Sequence, residues 1–210
     1  MTAVDHEPTG GRLAVFISGG GRTLRNIQAA IESGELPAEV VLVAASRECS
    51  GAEWARSLVR TEIVPRGASP DDIDRLVAGA GADWIVLAGY TRLLPIPPRY
   101  RGRVVNIHPA LLPAFGGPGM YGERVHRAVL DARTAESGCT VHLCDDAYDT
   151  GPILDQLRCP VLPDDTPASL GARVFELEKR LYPRVLADLV SGRIRVAPEP
   201  GGPGLRIIRS

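Results

Sequence analysis

The sequence has little lysine and no excess of charge of either sign. Lys179 is the only lysine among 24 basic residues, and 25 acidic residues bring the formal net charge to −1 at pH 7. Such a balance provides no general attraction for nucleic acid or for an anionic membrane surface. The composition therefore argues against nucleic acid and membranes as partners.

Long hydrophobic runs are also missing. No stretch approaches the roughly 18 uncharged apolar residues that indicate a transmembrane helix. Residues 1–11 include Asp5 and Glu7 and contain no apolar run, unlike a secretory signal peptide. We therefore expect a disordered tail over residues 1–11 and a cytoplasmic protein.

Cysteines are few and are not arranged in pairs. The four cysteines form no C-x-x-C motif; they are Cys49, Cys139, Cys144 and Cys159. This pattern predicts reduced, mostly buried thiols rather than a disulfide or a zinc site. Hydrophobic residues make up 44% and charged residues 23% of the 210 residues, as in a globular protein that buries a full core.

Strand and helix patterns alternate through the first half of the chain. Short apolar runs typical of buried parallel strands occur at residues 12–17, 39–46, 61–65, 83–89 and 103–108. Helical patterns follow the first three runs, and Ser69 is the expected N-cap of the helix over residues 70–80. This order predicts βαβ units with right-handed crossovers, in a Rossmann-like, doubly wound α/β fold with a mostly parallel sheet.

The pattern changes after residue 108. Residues 109–122 are rich in proline and glycine and predict a long loop, and residues 123–133 predict a helix. Two half-buried strands at 138–145 and 153–162 predict an antiparallel extension of the sheet. Apolar residues from Leu170 to Leu189 predict a long terminal helix, which Pro183 is expected to kink. We expect one domain over residues 12–196 and a Pro/Gly-rich tail over residues 197–210.

A glycine-rich loop lies between the first strand and the first helix. Gly19, Gly20 and Gly21 are followed by Arg22 and Thr23. Backbone N–H groups at such a helix start bind anions, and glycine allows a phosphate to approach closely. The loop lacks the lysine of a P-loop and the last glycine of the dinucleotide motif, so a single phosphate group fits better than ATP or a dinucleotide. A tight turn without a ligand is the alternative.

Two side chains capable of acyl-transfer chemistry end the fifth strand. Asn106 and His108 face the same side of that strand, at the sheet edge where ligands of parallel sheets bind. An amide donor beside an imidazole is suited to oxyanion stabilisation and proton transfer. Asp149 lies in a polar loop, and a carboxylate close to His108 is expected to raise the histidine pKa. Of the other histidines, we expect His126 on a helix surface and His142 beside the site or in the core.

Asn106, His108 and Asp149 lie in two motifs that resemble those of a known protein family. Asn-Ile-His-Pro-Ala-Leu-Leu-Pro at 106–113 and Asp-Thr-Gly-Pro at 149–152 resemble the signature of the folate-dependent formyltransferases. The similarity extends to residues 17–21, residues 87–94, Glu178 and the Tyr182-Pro183 pair, and it covers almost all of residues 12–196. The resemblance implies a formyltransferase catalytic domain that transfers the formyl group of 10-formyltetrahydrofolate to an amine. Within the family, the chain is most similar to members that formylate glycinamide ribonucleotide in purine synthesis.

The resemblance also implies roles for individual residues. Asn106 would donate to the oxyanion, while His108, held protonated by Asp149, would stabilise charge and deliver a proton. The substrate would be bound by Gly20, Gly21, Arg22, Thr23 and Glu178. The folate, a co-substrate, would be bound by Thr91, Arg92, Leu93, Leu94, Asn106 and Asp145. No metal is implied.

Departures from the family pattern lie away from the catalytic set. Arg22-Thr23 replaces a common Ser-Asn pair, so Arg22 either contacts the phosphate or points outward. Ala110 replaces a common serine, Lys179 a common histidine, and Pro70 lies where some relatives have a folate-contacting arginine. These changes affect the substrate assignment more than the reaction class.

Alternative functions follow from particular features. An amino-sugar formyltransferase shares the catalytic motifs, whereas formylation of methionyl-tRNA does not suit a charge of −1. An NADP-linked oxidoreductase is supported by the glycine loop and by Ser46-Arg47 at the end of the second strand. A non-catalytic binding module is disfavoured by the complete Asn106, His108 and Asp149 set. For residues 114–122, which include four glycines, we expect a lid that closes over the substrate, with a rigid surface loop as the alternative.

Overall fold

The computed structural model describes residues 11–199 and 204–210, so the predicted N-terminal tail lies almost entirely outside the described residues. Nine strands and five α-helices are present in the described ranges. They are β1 (Arg12–Ile17), α1 (Arg22–Glu32), β2 (Glu39–Ala45), α2 (Ser50–Ala55), β3 (Thr61–Ile63), α3 (Pro70–Gly79), β4 (Trp84–Leu87), β5 (Val104–His108), α4 (Glu123–Asp131), β6 (Glu136–Leu143), β7 (Ile153–Pro160), α5 (Pro167–Val190), β8 (Ile194–Pro198) and β9 (Leu205–Arg209). A 3₁₀ turn over Pro98–Tyr100 precedes β5.

Seven strands form one sheet in the order β3-β2-β1-β4-β5-β6-β7. The first five strands run parallel, whereas β6 is antiparallel to both β5 and β7. The predicted α/β fold with an antiparallel extension is therefore confirmed. Strand order reverses direction at β1 and β4, and the carboxyl ends of these central strands form the edge at which ligands bind in such sheets.

The strands are apolar on both sides because both faces of the sheet are covered. A hydrophobic cluster lies on each face of the sheet, and successive residues of β1 point into opposite clusters. Val15 packs with α1 and α5 on one face, and Phe16 packs with α3 on the other. All of β1 except Arg12 is fully buried. This double burial explains why the parallel strands appear in the sequence as continuous apolar runs rather than alternating ones.

Helix starts follow the local chemistry. Ser69 accepts a hydrogen bond from the Asp72 N–H, and the Asp72 carboxylate accepts from the Ser69 N–H, which completes a capping box at α3. Thr166 and Ser169 form the same arrangement at α5. The predicted N-cap at Ser69 is confirmed, and the long terminal helix continues through Pro183 for 24 residues.

The structure differs from expectation at the end of the chain. Strands β8 and β9, which include parts of the predicted Pro/Gly-rich tail over residues 197–210, pair as an antiparallel hairpin. Val196, Leu205 and Ile207 pack against the core below it, which explains why strands form before and after the Pro/Gly-rich stretch. The helical pattern after the second strand run predicts a helix over residues 51–59, whereas α2 ends at Ala55. None of the helices in the described ranges is long and apolar enough to cross a membrane.

Candidate active site

A cavity of about 520 Å³ opens at the carboxyl ends of the central strands. It is bordered by Asn106 and His108 of β5, by Asp149 of the loop before β7, and by residues of α1 and α5. Asn106 and His108 lie together at this edge, as their spacing in β5 predicts. A cavity of this size suits a small-molecule substrate.

Pairing of β5 with β6 brings a second histidine beside Asn106. Asn106 lies opposite His142 in the antiparallel register. The His142 Nδ1–H donates to the Leu143 carbonyl at 2.8 Å, so in the neutral ring Nε2 is an acceptor. It accepts from the Asn106 amide nitrogen at 3.0 Å. This bond orients the amide and leaves its second N–H for the cavity, so His142 supports the site rather than only filling the core.

His108 is buried, and protein groups lie near both of its ring nitrogens. Nε2 lies 2.8 Å from the Phe115 carbonyl and must donate to it, while Nδ1 lies 3.5 Å from the Asp149 carboxylate. Burial lowers the His108 pKa by more than the charge of Asp149 raises it. The expectation that Asp149 raises the pKa above the ordinary value is therefore wrong for the free protein. The carboxylate only reduces the effect of burial.

Asp149 connects His108 and His142 with the loop over residues 114–122. One carboxylate oxygen accepts from the Gly117 N–H at 2.9 Å, and the other lies 3.5 Å from His142 Nε2. Burial alone would raise the Asp149 pKa, but the contacts with His142, His108 and Gly117 outweigh it, so the pKa is lowered. Asp149 is thus held as an anion and provides negative charge beside both imidazoles.

The loop that follows β5 is fixed at its start by Thr140, which faces His108 across the strands. The Thr140 hydroxyl donates to the Ala110 carbonyl at 2.7 Å and accepts from the Leu112 N–H at 3.0 Å. Gln156 donates to the same hydroxyl. These buried bonds hold the segment after His108 against β6, while Met120 and Tyr121 further along the loop border the cavity.

The glycine loop gives helix α1 an open N-terminus. Gly21 is the N-cap, with φ of +72°, and no side chain in the described ranges caps the first turn. A side chain at Gly21 would be strained, and its Cβ would lie 3.1 Å from the Gly51 backbone. The uncapped N–H groups form an electropositive end that suits an anion. Arg22 and Thr23 border the cavity, whereas Gly20 and Gly21, which were also predicted to bind the substrate, are not among its lining residues.

Helix α5 brings Phe175 and Glu178 to the same end of the cavity. The Arg22 guanidinium carbon lies 3.9 Å from the centre of the Phe175 ring, so Arg22 is packed over α5 and borders the cavity rather than pointing away. Burial raises the Glu178 pKa to about 7, and the nearby charge of Arg22 opposes the rise. A carboxyl group with this pKa donates or accepts hydrogen bonds near neutral pH.

The residues expected to bind folate are only partly exposed to the cavity. Thr91, Arg92, Leu93 and Asp145 border it, but Leu94 is 4% exposed and belongs to the core. The Arg92 guanidinium donates to the backbone carbonyls of Val64 and Ser46, so this side chain braces the segment. Within this segment, Thr91 and Leu93 therefore border the cavity without serving as such a brace.

The two residues that support an NADP site are engaged within the protein. Ser46 is buried and donates to the Ser18 hydroxyl at 2.8 Å. Arg47 donates to the Ser18 carbonyl at 3.1 Å. Neither residue borders the cavity. This arrangement does not favour recognition of a 2′-phosphate.

His126 was expected on a helix surface, and that prediction is wrong. It is 6% exposed and borders the cavity, and no described residue forms a hydrogen bond with its Nδ1. Gly171 of α5 makes room for the ring, because a Cβ there would lie 2.9 Å from the imidazole. Only the packing of α4 on α5 reveals this position. Within the described part of the chain, no cluster of three or more His, Cys, Asp or Glu side chains is arranged to hold a metal ion.

Comparison with known proteins agrees with this geometry. Residues 11–186 match the family described as formyl transferase. The chloroplastic phosphoribosylglycinamide formyltransferase of Arabidopsis thaliana is 40% identical over 201 residues, which cover 90% of this chain and 69% of that protein. The trifunctional purine biosynthetic protein adenosine-3 of Drosophila melanogaster is 40% identical over 90% of this chain but only 14% of its own length. The glycinamide ribonucleotide transformylase 1 structure from Symbiobacterium toebii superimposes with a TM-score of 0.82 at 32% identity, covering 96% of both chains.

Proposed function

The chain belongs to the formyl transferase family, and we propose that it transfers the formyl group of 10-formyltetrahydrofolate to the amino group of glycinamide ribonucleotide in purine synthesis. The observation that carries the proposal is the arrangement of Asn106, His108 and Asp149 in one cavity with the open N-terminus of α1. The first three provide the chemistry of acyl transfer, and the helix end suits a phosphate. The phosphorylated amine substrate and the folate would occupy opposite parts of this cavity.

The reaction needs stabilisation of a negatively charged oxygen. The substrate nitrogen attacks the formyl carbon, a C–N bond forms, and the carbonyl electrons move onto oxygen. The free N–H of Asn106 is suited to donate to that oxygen, because His142 occupies the other one. When the intermediate collapses, the bond to the folate nitrogen breaks and tetrahydrofolate leaves with a proton. The attacking amine loses a proton, for which Asp149 and a nearby water are the proposed acceptor.

His108 supplies charge and a proton in this scheme. Its Nε2–H is bound to the Phe115 carbonyl, so contact with the reacting group through Nε2 requires that bond to break. Substrate entry beside the loop is the event we expect to release it. The developing oxyanion then favours the cationic ring, which the Asp149 carboxylate also favours and burial opposes. Protonation is therefore expected to follow charge development in the site.

The remaining residues bind the two substrates. We propose that Gly20, Gly21, Arg22 and Thr23 bind the phosphate and that Glu178 hydrogen-bonds the ribose. Thr91, Arg92, Leu93, Asn106 and Asp145 would receive the folate, with Leu94 supporting that segment from the core. The only cofactor in the proposal is the folate co-substrate.

One assay tests the acceptor directly. Tetrahydrofolate formation is followed by absorbance with 10-formyltetrahydrofolate and either glycinamide ribonucleotide, its dephosphorylated form or an amino-sugar nucleotide. We expect turnover with the ribonucleotide, and weaker binding by several kcal/mol without the phosphate, since charge-assisted hydrogen bonds contribute about 1.5–3 kcal/mol each. Equal affinities for the phosphorylated and dephosphorylated forms in titration calorimetry would refute the phosphate subsite. Turnover confined to the amino sugar would instead assign that acceptor.

A further inference from the structure

The cavity wall at the start of α1 contains a stacked pair of side chains, Arg22 and Phe175, and the proposed function gives a role only to Arg22. Arg22, the first residue of α1, lies with its guanidinium 3.9 Å from the centre of the Phe175 ring. Phe175 belongs to α5, so the pair joins two helices across one end of the cavity. We propose that Phe175 is a positioning residue that holds the Arg22 guanidinium beside the glycine loop for the phosphate of the substrate. This inference rests on the proposed function.

Arg22 has its charge available for a ligand. Among residues 11–199 and 204–210, no carboxylate forms an ion pair with Arg22 within 4 Å. The charge of Arg22 acts on Glu178, but the carboxyl group of Glu178 has a pKa of about 7 and is therefore only partly ionised at neutral pH. The guanidinium is thus oriented by an aromatic face, which leaves its N–H groups free for an anion.

Lys179, the other cation near this ring, is already engaged. Its ammonium lies 5.8 Å from the centre of the Phe175 ring and forms an ion pair with Glu176 at 2.6 Å. Arg22 lies nearer the ring and has no such partner among the described residues. The structure therefore assigns the phosphate contact to Arg22 rather than to Lys179.

A guanidinium at this position complements the helix end chemically. The uncapped N–H groups of α1 offer single hydrogen bonds, and the planar guanidinium offers two parallel ones that match the oxygens of a phosphate monoester. Stacking on Phe175 restricts the long side chain before the ligand arrives, which reduces the ordering cost of binding. The expected ligand class is a sugar phosphate with a terminal dianionic phosphate.

Binding of ribose 5-phosphate, measured by titration calorimetry, tests the pair without relying on turnover. Arg22→Ala should weaken binding about tenfold or more, as expected for loss of a charge-assisted hydrogen bond. Phe175→Leu should weaken it about two- to fivefold, which corresponds to an exposed cation–π contact. Phe175→Trp should retain wild-type affinity because it preserves an aromatic face. Phe175→Leu combined with Arg22→Ala should bind no more weakly than Arg22→Ala alone.

A second stacked pair on the same helix provides matched controls. The Arg25 guanidinium lies 4.1 Å from the centre of the Trp54 ring, and neither residue borders the cavity. Arg25→Ala and Trp54→Leu should leave ribose 5-phosphate binding unchanged. In the turnover assay, Phe175→Leu should raise the KM for the ribonucleotide while kcat stays close to wild type. A general structural defect would lower kcat and the melting temperature as well.

The outcomes separate this inference from the proposed function. Normal ribose 5-phosphate affinity in Phe175→Leu, or an equal further loss when it is added to Arg22→Ala, would overturn the positioning role. Loss of ribose 5-phosphate affinity in Phe175→Trp would also contradict the positioning role. Absence of formyl transfer to glycinamide ribonucleotide by the wild-type protein, with ribose 5-phosphate still bound through Arg22, would reject the proposed acceptor and leave the phosphate contact standing.

Discussion

The side-chain amide of Asn26 donates a hydrogen bond at 3.1 Å to the backbone carbonyl of Lys179. In an uninterrupted α-helix this carbonyl accepts from the N–H four residues later, but that residue is Pro183, which has no N–H. Asn26 of α1 therefore supplies the donor that the proline removes from α5. The bond connects the helix that carries Arg22 to the helix that carries Glu178.

Substitution of Asn26 should therefore depend on Pro183. Asn26→Ala should lower the free energy of unfolding by about 1–2 kcal/mol, because the Lys179 carbonyl loses its donor. In a Pro183→Ala background, the new N–H can bind that carbonyl, and the same substitution should cost less than half as much. Urea unfolding of the four proteins measures the coupling. An equal cost in both backgrounds would show that Asn26 acts in another way.

The catalytic proposal predicts a loss of rate rather than of binding. Asn106→Ala and His108→Ala should each lower kcat by about 100- to 1,000-fold, as expected for removal of an oxyanion donor or its charge partner. Substrate Kd values, measured by calorimetry, should change much less. Near-normal turnover by His108→Ala would remove the central claim of the mechanism.

Local patterns were sufficient to predict the catalytic edge of the sheet. Asn106 and His108 are two residues apart in a strand whose carboxyl end faces the ligand edge, so their proximity follows from strand geometry alone. The Ser69 cap and the antiparallel strands β6 and β7 follow equally from local sequence. Features that depend on position and period in the sequence are therefore predictable without tertiary contacts.

Features that depend on packing were not predictable in this way. His126 is buried because α5 has Gly171 at the point of contact, which is 45 positions away in the sequence. The lowered pKa of His108 results from its burial, and no spacing rule reports burial. Strand β9 lies beyond a Pro/Gly-rich stretch, and its order depends on Leu205 and Ile207 packing on a core formed by distant residues.

Glu178 should make stability depend on pH. Its pKa rises from an ordinary 4.5 to about 7 on folding, so the folded protein holds this proton more tightly than the unfolded chain. The associated stability is fully present below pH 4.5 and is lost as pH rises to about 7, by about 3 kcal/mol at most. Glu178→Gln should therefore unfold at higher urea than wild type at pH 8 and at similar urea at pH 4.5.

The same substitution should weaken substrate binding, because a glutamine side chain lacks the carboxylate that is proposed to bind the ribose. We expect a higher KM for the ribonucleotide together with greater stability at pH 8. Asp71→Asn, an exposed substitution in α3 away from the cavity, is the control for removal of one negative charge. A stability difference between Glu178→Gln and wild type that is constant from pH 4.5 to 8 would contradict the pKa assignment.

The segment over residues 114–122 is expected to act as a lid. Its contacts with His108 and Asp149 would link closure of the segment to the positions of these two side chains. The Phe115 carbonyl accepts from His108, and the Gly117 N–H donates to Asp149. Phe115 adopts a φ of +58°, a conformation that non-glycine residues seldom take, and it packs partly against the core. A substrate that draws His108 toward the formyl group competes for the bond to Phe115, so substrate binding and loop position should be coupled.

Limited proteolysis with chymotrypsin tests this coupling, since Phe115 and Tyr121 are cleavage sites within the segment and Tyr121 is 45% exposed. The lid hypothesis requires cleavage between residues 115 and 121 in the free enzyme and protection when the ribonucleotide and a folate analogue are both bound. Closure excludes water, which matters because hydrolysis of the formyl donor competes with transfer. Cleavage at Leu58, which is 52% exposed and does not border the cavity, is the internal control and should be the same in both states. Identical cleavage of the segment in both states, or none in either, would favour a rigid surface loop.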